Sequence, residues 1–194
     1  MFDDVGEAVG GKINCNGVQE SVEVPIRTTS FGCGKLGYEI WPSSVFLSMY
    51  CRAELFPPAA ATGEARTTIV ELGAGCGLPS GMLARQESLR VISTDFWMEP
   101  GKEFDEERLV PDAYHGVNLR FNVEGGGKPL SDNGKRENPR VEWLDFYDPA
   151  SSSVLSASAP RGPDWVIASD IICKCFGAVF RWSFAFSPHP YLFV

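Results

Sequence analysis

Positive charge is scarce in this chain. Lysine and arginine number 17 against 25 acidic residues, a formal charge of −8, so the surface as a whole repels phosphate backbones and no nucleic-acid partner is expected. No apolar run approaches the roughly 18 residues of a membrane-spanning helix, and no membrane partner is expected. The opening stretch, MFDDVGEAVGGKI, carries acid where a secretory signal carries base, and it lacks the arginine-rich character of a transit peptide. A cytosolic or nuclear address is therefore expected. Cys15, Cys33, Cys51, Cys76, Cys173 and Cys175 are irregularly spaced in a chain long enough to fold without disulfides, so free thiols are expected. Cys173 and Cys175 have one residue between them and no second pair or histidine cluster to complete four ligands, which leaves no expected metal site.

The 194 residues are 44% hydrophobic and 22% charged, the profile of one ordinary globular domain. Residues 1–36 read as an arm in which Ser21 to Ile26 alternate as a short edge strand ended by Pro25. Helical spacing of Val45, Phe46, Met49, Tyr50 and Ala53 predicts a helix over 42–56, stopped by Pro57 and Pro58. Residues 67–72 form a β-branched run ended by glycine, which reads as a buried parallel strand. A helix over 79–86, a strand over 89–94, a helix over about 105–122, and strands over 140–146 and 165–169 follow. Strand and helix alternate, so the expected fold class is α/β, a Rossmann-like parallel sheet with helices on both faces. The stretch 124–139 reads as a flexible loop. The Ser/Ala/Pro-rich stretch 149–163 supports its crossover helix poorly, and partial disorder is expected there.

The strongest local signal is Glu71-Leu72-Gly73-Ala74-Gly75-Cys76-Gly77-Leu78-Pro79, a strand running through three alternating glycines into a helix. Such a turn lets backbone approach a ligand at the carboxyl end of the sheet. A dinucleotide fingerprint wants its third glycine at the place of Leu78, and a P-loop wants a Gly-Lys-Ser/Thr that is absent. Asp95 ends the next strand, where a carboxylate accepts hydrogen bonds from a ribose diol; an aspartate there also serves as a helix cap.

With both anchors in view, residues 37–173 resemble the seven-β-strand methyltransferases of lysine methyltransferase family 16. The resemblance rests on Gly37-Tyr38-Glu39-Ile40-Trp41-Pro42, the string Glu71 to Pro79, Thr94-Asp95, the pair Asn118 and Asn122, Val141 to Phe146, and Ile167-Ala168-Ser169-Asp170-Ile171-Ile172-Cys173. It implies S-adenosyl-L-methionine (AdoMet) as cofactor and the lysine side chain of a protein as substrate. Trp41 would border the cofactor, Glu71, Gly73, Ala74, Gly75 and Gly77 would form its turn, and Asp95 would hold the ribose. Phe146 would take the family's tryptophan position beside adenine, and Ser169 would line the site where the family has alanine. Asp170 would begin the D-x-x-Y motif at the substrate mouth, with Cys173 in place of its tyrosine. The competing reading is a non-catalytic module that binds AdoMet, a nucleotide-like ligand or a protein partner. A nucleic-acid amine methyltransferase is weaker, since its D/N-P-P-aromatic motif is unmatched. His115 and His189 are not expected to act as bases.

The resemblance ends with the fourth strand, so the C-terminal strands of the seven-stranded sheet are expected to be missing from this chain. Residues 174–194 form a divergent tail holding seven of the 23 aromatic residues. Within it Phe180, Trp182, Phe184 and Phe186 alternate as in a strand with one apolar face. That strand starts only about nine residues after Asp170, too few for a parallel crossover. It is expected to return antiparallel on the open edge or to stay unpaired, leaving apolar surface that promotes self-association.

Overall fold

Successive side chains on a strand point to opposite faces, and three adjacent strands with apolar residues at both parities therefore build two cores at once. In the computed structural model this happens within a chain described over residues 8–15, 18–28, 39–57, 66–97, 113–124, 139–145, 148–171 and 191–193. The strands are β1 (Ala8–Cys15), β2 (Val18–Pro25), β3 (Thr67–Leu72), β4 (Leu89–Asp95), β5 (Arg140–Trp143), β6 (Trp165–Ala168) and β7 (Tyr191–Phe193). The helices are α1 (Pro42–Tyr50), continued by a π-helical turn at Cys51–Leu55, α2 (Leu78–Leu83), α3 (Ala113–Glu124) and α4 (Ser153–Ser158), the last preceded by a 3₁₀ turn at Pro149–Ser152.

The main sheet is parallel in the order β5-β4-β3-β6-β7. On one face Ile69, Val91 and Ile167 pack with Leu47, Cys51, Phe56 and Leu83 from α1, its π turn and α2. On the other, Val70, Leu72, Ile92, Val166 and Ala168 pack with Leu144, Leu155 and Ala159. Ile69, Leu83, Ile92 and Ile167 are fully buried, each stabilising the fold by about 1.5–3 kcal/mol. This is the Rossmann-like α/β architecture read from the sequence, with helices against both faces.

Four local readings are corrected. The stretch 149–163 is not structureless: the Asp148 side chain accepts the Ala150 N–H at 2.9 Å and starts the 3₁₀ turn that runs into α4. A cap supplied by the preceding residue outweighs the weak propensity of the segment. The strand at 140–146 is shorter than its apolar pattern, ending at Trp143. The short strand in the arm is half of a β1–β2 hairpin, and the two residues between its strands are Asn16-Gly17, the dipeptide favoured in two-residue hairpin loops. Finally, the edge beside β6 receives a parallel strand, β7, in register Val166↔Tyr191 to Ala168↔Phe193. Residues 169–190 supply the dozen or more residues a parallel crossover needs, whereas the short count applied to the alternating segment 180–187, which lies outside the described residues. Residues 105–112 of the expected longer helix and most of the 124–139 loop also lie outside them.

Candidate functional site

At the carboxyl end of β3 the chain enters its glycine turn with Gly73, Gly75 and Gly77 all at left-handed φ of 60°, 55° and 72°. The turn is tied to the neighbouring strand by the Ala74 N–H donating to the Thr94 carbonyl at 3.0 Å, and closed on itself by Gly77 N–H to the Ala74 carbonyl at 2.8 Å. α2 then starts directly from Gly77.

Asp95, at the end of β4, reaches back to this turn: its Oδ2 accepts the Gly75 N–H at 2.6 Å, and its Oδ1 accepts the Phe96 N–H at 2.8 Å. The two anchors read separately in the sequence are thus in direct contact. His115 of α3, 1% exposed, brings Nε2 to 3.2 Å from the same Oδ2. With a proton on Nε2 the ring donates to the carboxylate and holds its rotamer. The Trp97 ring stands edge-on to His115 at 6.4 Å. It also packs against Gly116, where an added Cβ would lie 2.5 Å from the ring. The Trp143 Nε1–H donates to the Trp97 carbonyl at 2.9 Å, fastening β5 to this wall.

Glu71 lies beneath the turn, fully buried in β3. Its Oε2 accepts the Ser80 N–H at 3.0 Å and also the Ser80 Oγ–H, so the carboxyl clamps the strand to α2 across the glycines. Burial pushes it up to about 8; the two Ser80 bonds oppose that rise and the Asp95 charge adds to it. Burial likewise pushes the Cys76 thiol up to about 12, which removes it as a thiolate nucleophile near neutral pH. Between the ordinary carboxyl value of 4.5 and about 8, the folded chain retains a proton on Glu71 that the unfolded chain has released. Stability from this group is therefore full below pH 4.5 and declines as pH rises through that window, with a slope on the order of 1 kcal/mol per pH unit. Glu71→Gln is expected to remove this decline, so urea midpoints of variant and parent should diverge with rising pH; parallel pH profiles would contradict it.

Trp41 is the N-cap of α1 and 46% exposed. The Ser43 hydroxyl, in the first turn of that helix, donates to Asp170 Oδ2 just beyond β6. Asp170 has φ 52°, a conformation that aspartate tolerates better than most residues. Ser169 is half-buried beside it, and Asn118 is half-buried on α3. Phe146 and Cys173 lie outside the described residues. Ser43 on Asp170 and Ser80 on Glu71 were not singled out from the sequence, and His115 was named there only as a residue not expected to act as a base, not as a partner of Asp95. Only Ser80 carries a local signal, a serine in the first turn of the helix after the glycines. Among the described residues no three His, Cys, Asp or Glu side chains are grouped to hold a metal ion, and no helix is long and apolar enough to cross a membrane.

Residues 20–101 match the model of a family described as lysine methyltransferase. This segment is similar to that family. It contains β3, the glycine turn, α2, β4 and Asp95, so the family match and the site geometry fall on the same residues. The match covers less than half of the chain. None of the curated proteins matches it.

Proposed function

We propose that the chain binds AdoMet at the carboxyl ends of β3 and β4 and methylates a lysine side chain of a protein, in the cytosol or nucleus. The observation that carries this reading is the Asp95 carboxylate held against the Gly75 N–H at 2.6 Å. A carboxylate oxygen has about two acceptor directions, and Oδ1 takes one bond, from Phe96, so the donor set around Asp95 fits a ribose hydroxyl as a further partner. Gly73 to Gly75 let backbone approach the amino-acid part of the cofactor, with Trp41 and Ser169 as flanking walls.

When bound, AdoMet would supply an electrophilic methyl on a sulfonium sulfur for in-line transfer to an amine, with the sulfur as leaving group. The chain's own task is orientation and exclusion of water, with no metal required. Asp170, held by Ser43, is suited to receive the incoming ammonium, whose proton then leaves to solvent. A macromolecular substrate is supported by the exposed apolar face of α1: Phe46, 57% exposed, stacks on Tyr50 at 6.2 Å, with Met49 and Trp41 also exposed.

The test is calorimetric titration of AdoMet, followed by mass spectrometry of lysine-containing proteins incubated with the chain. Gly75→Val is expected to abolish binding, since its side chain enters the space the ligand needs. Unchanged affinity in that variant would remove the site. Binding with no methylated lysine would favour the non-catalytic reading instead.

A further inference from the structure

The glycine turn is walled on one side by α3. Leu119 and Val123 press on Gly77 so closely that a Cβ there would come within 2.6 Å of Leu119 and 2.7 Å of Val123, and both also pack with Ala74. Apolar contacts of this kind set distance but not direction, because dispersion has little angular preference. One polar side chain on α3 does set direction. Asn122, 4% exposed, donates from Nδ2 to the Cys76 carbonyl at 2.9 Å and to the Arg27 carbonyl at 3.0 Å, and its Oδ1 accepts the Arg27 N–H at 2.6 Å. Both amide hydrogens are used on carbonyls and the oxygen on an N–H, so the partners themselves dictate which way the amide faces. Arg27 follows β2 directly after Ile26, which is 1% exposed and packs with Cys76, Leu78 and Met82. The Arg27 guanidinium lies 3.3 Å over the Phe121 ring, next to Asn122 in sequence.

We propose that Asn122 is a positioning residue for the cofactor: by holding the Cys76 carbonyl it fixes the tilt of the Cys76–Gly77 peptide, and through Arg27 it makes that tilt depend on the docked N-terminal segment. This rests on the AdoMet reading above, in which the glycine turn meets the amino-acid part of the ligand while Asp95 meets the ribose. Asn122 acts on the first and not the second. Loss of its amide therefore weakens recognition of the amino-acid part and leaves recognition of the nucleoside intact.

The test compares AdoMet with 5′-methylthioadenosine, which has the same nucleoside but no amino-acid part, by calorimetry on the full chain. Two variants are used. Asn122→Leu removes all three bonds while keeping the same branched heavy-atom skeleton. Asn122→Asp keeps the acceptor for Arg27 but turns an oxygen toward two carbonyls, and it serves if the leucine variant does not fold. In either folded variant AdoMet affinity is expected to fall about tenfold or more, as for a lost buried hydrogen bond, while methylthioadenosine affinity changes less than about twofold. Amide hydrogen exchange at Arg27 is expected to accelerate in Asn122→Leu. Equal losses for both ligands, or unchanged AdoMet affinity with accelerated exchange, would overturn the proposal. A parent chain that binds neither ligand would instead overturn the AdoMet reading, and the positioning role with it.

Discussion

Gly77→Ala is expected to lower folding stability by about 2–4 kcal/mol, the sum of left-handed backbone strain and overpacking. The φ of 72° disfavours any L residue, and the added Cβ would meet Leu119 Cδ1 at 2.6 Å and Val123 Cγ2 at 2.7 Å. Both neighbours are buried, at 0% and 1% exposure, so neither has free space to swing into. Gly162 supplies the control: its φ is 78°, but nothing lies within 4 Å of its would-be Cβ. Gly162→Ala therefore carries the backbone term alone, about 1–2 kcal/mol. Urea unfolding of the two variants separates the terms, and equal losses would show that α3 yields and that the turn is not clamped as described.

Asp95→Ala should damage stability and ligand binding together. In the folded chain the carboxylate accepts the Gly75 and Phe96 N–H groups and sits 3.2 Å from a buried histidine nitrogen. Truncation leaves these groups without their acceptor in a region where water has little access, a loss of about 1–3 kcal/mol for the buried donors. On the proposed reading AdoMet affinity should fall at least about tenfold, because the carboxylate would no longer offer charge-assisted bonds to a ribose. Asp95→Asn separates the two effects: its amide oxygen still accepts a backbone N–H, so it should recover most of the stability while binding stays weak. Full recovery of AdoMet affinity by the asparagine variant would mean that the carboxylate charge has no part in holding the ligand.

The glycine turn was legible because it is local. Thr67 through Pro79 combine a β-branched lead-in, three glycines at alternating positions and a proline at the start of a helix, and each preference acts within a few residues. The same holds for β3, β4 and β6, whose apolar residues fall at both parities because both faces are buried. Asn16-Gly17 was an equally local signal for the β1–β2 hairpin, and reading the arm as one strand missed it.

Other features depended on where the sheet order brings distant elements. Ser43 and Asp170 are 127 positions apart, and Asn122 and Arg27 are 95 apart; each pair meets because β6 lies beside β3 and α3 walls the turn after it. No propensity encodes such a meeting, since a short polar side chain pairs with whatever polar group the topology brings within about 3 Å. His115 shows the difference most clearly. Its helix was readable, but only the packing of α3 against the end of β4 turned a buried histidine toward Asp95. The strand-turn-helix chemistry of the site came from the sequence by itself, through conformational preferences a few residues long. Which side chains hold Asp95, Asp170 and the Cys76 carbonyl was decided by the tertiary structure, because hydrogen-bond direction is set only when the elements have packed.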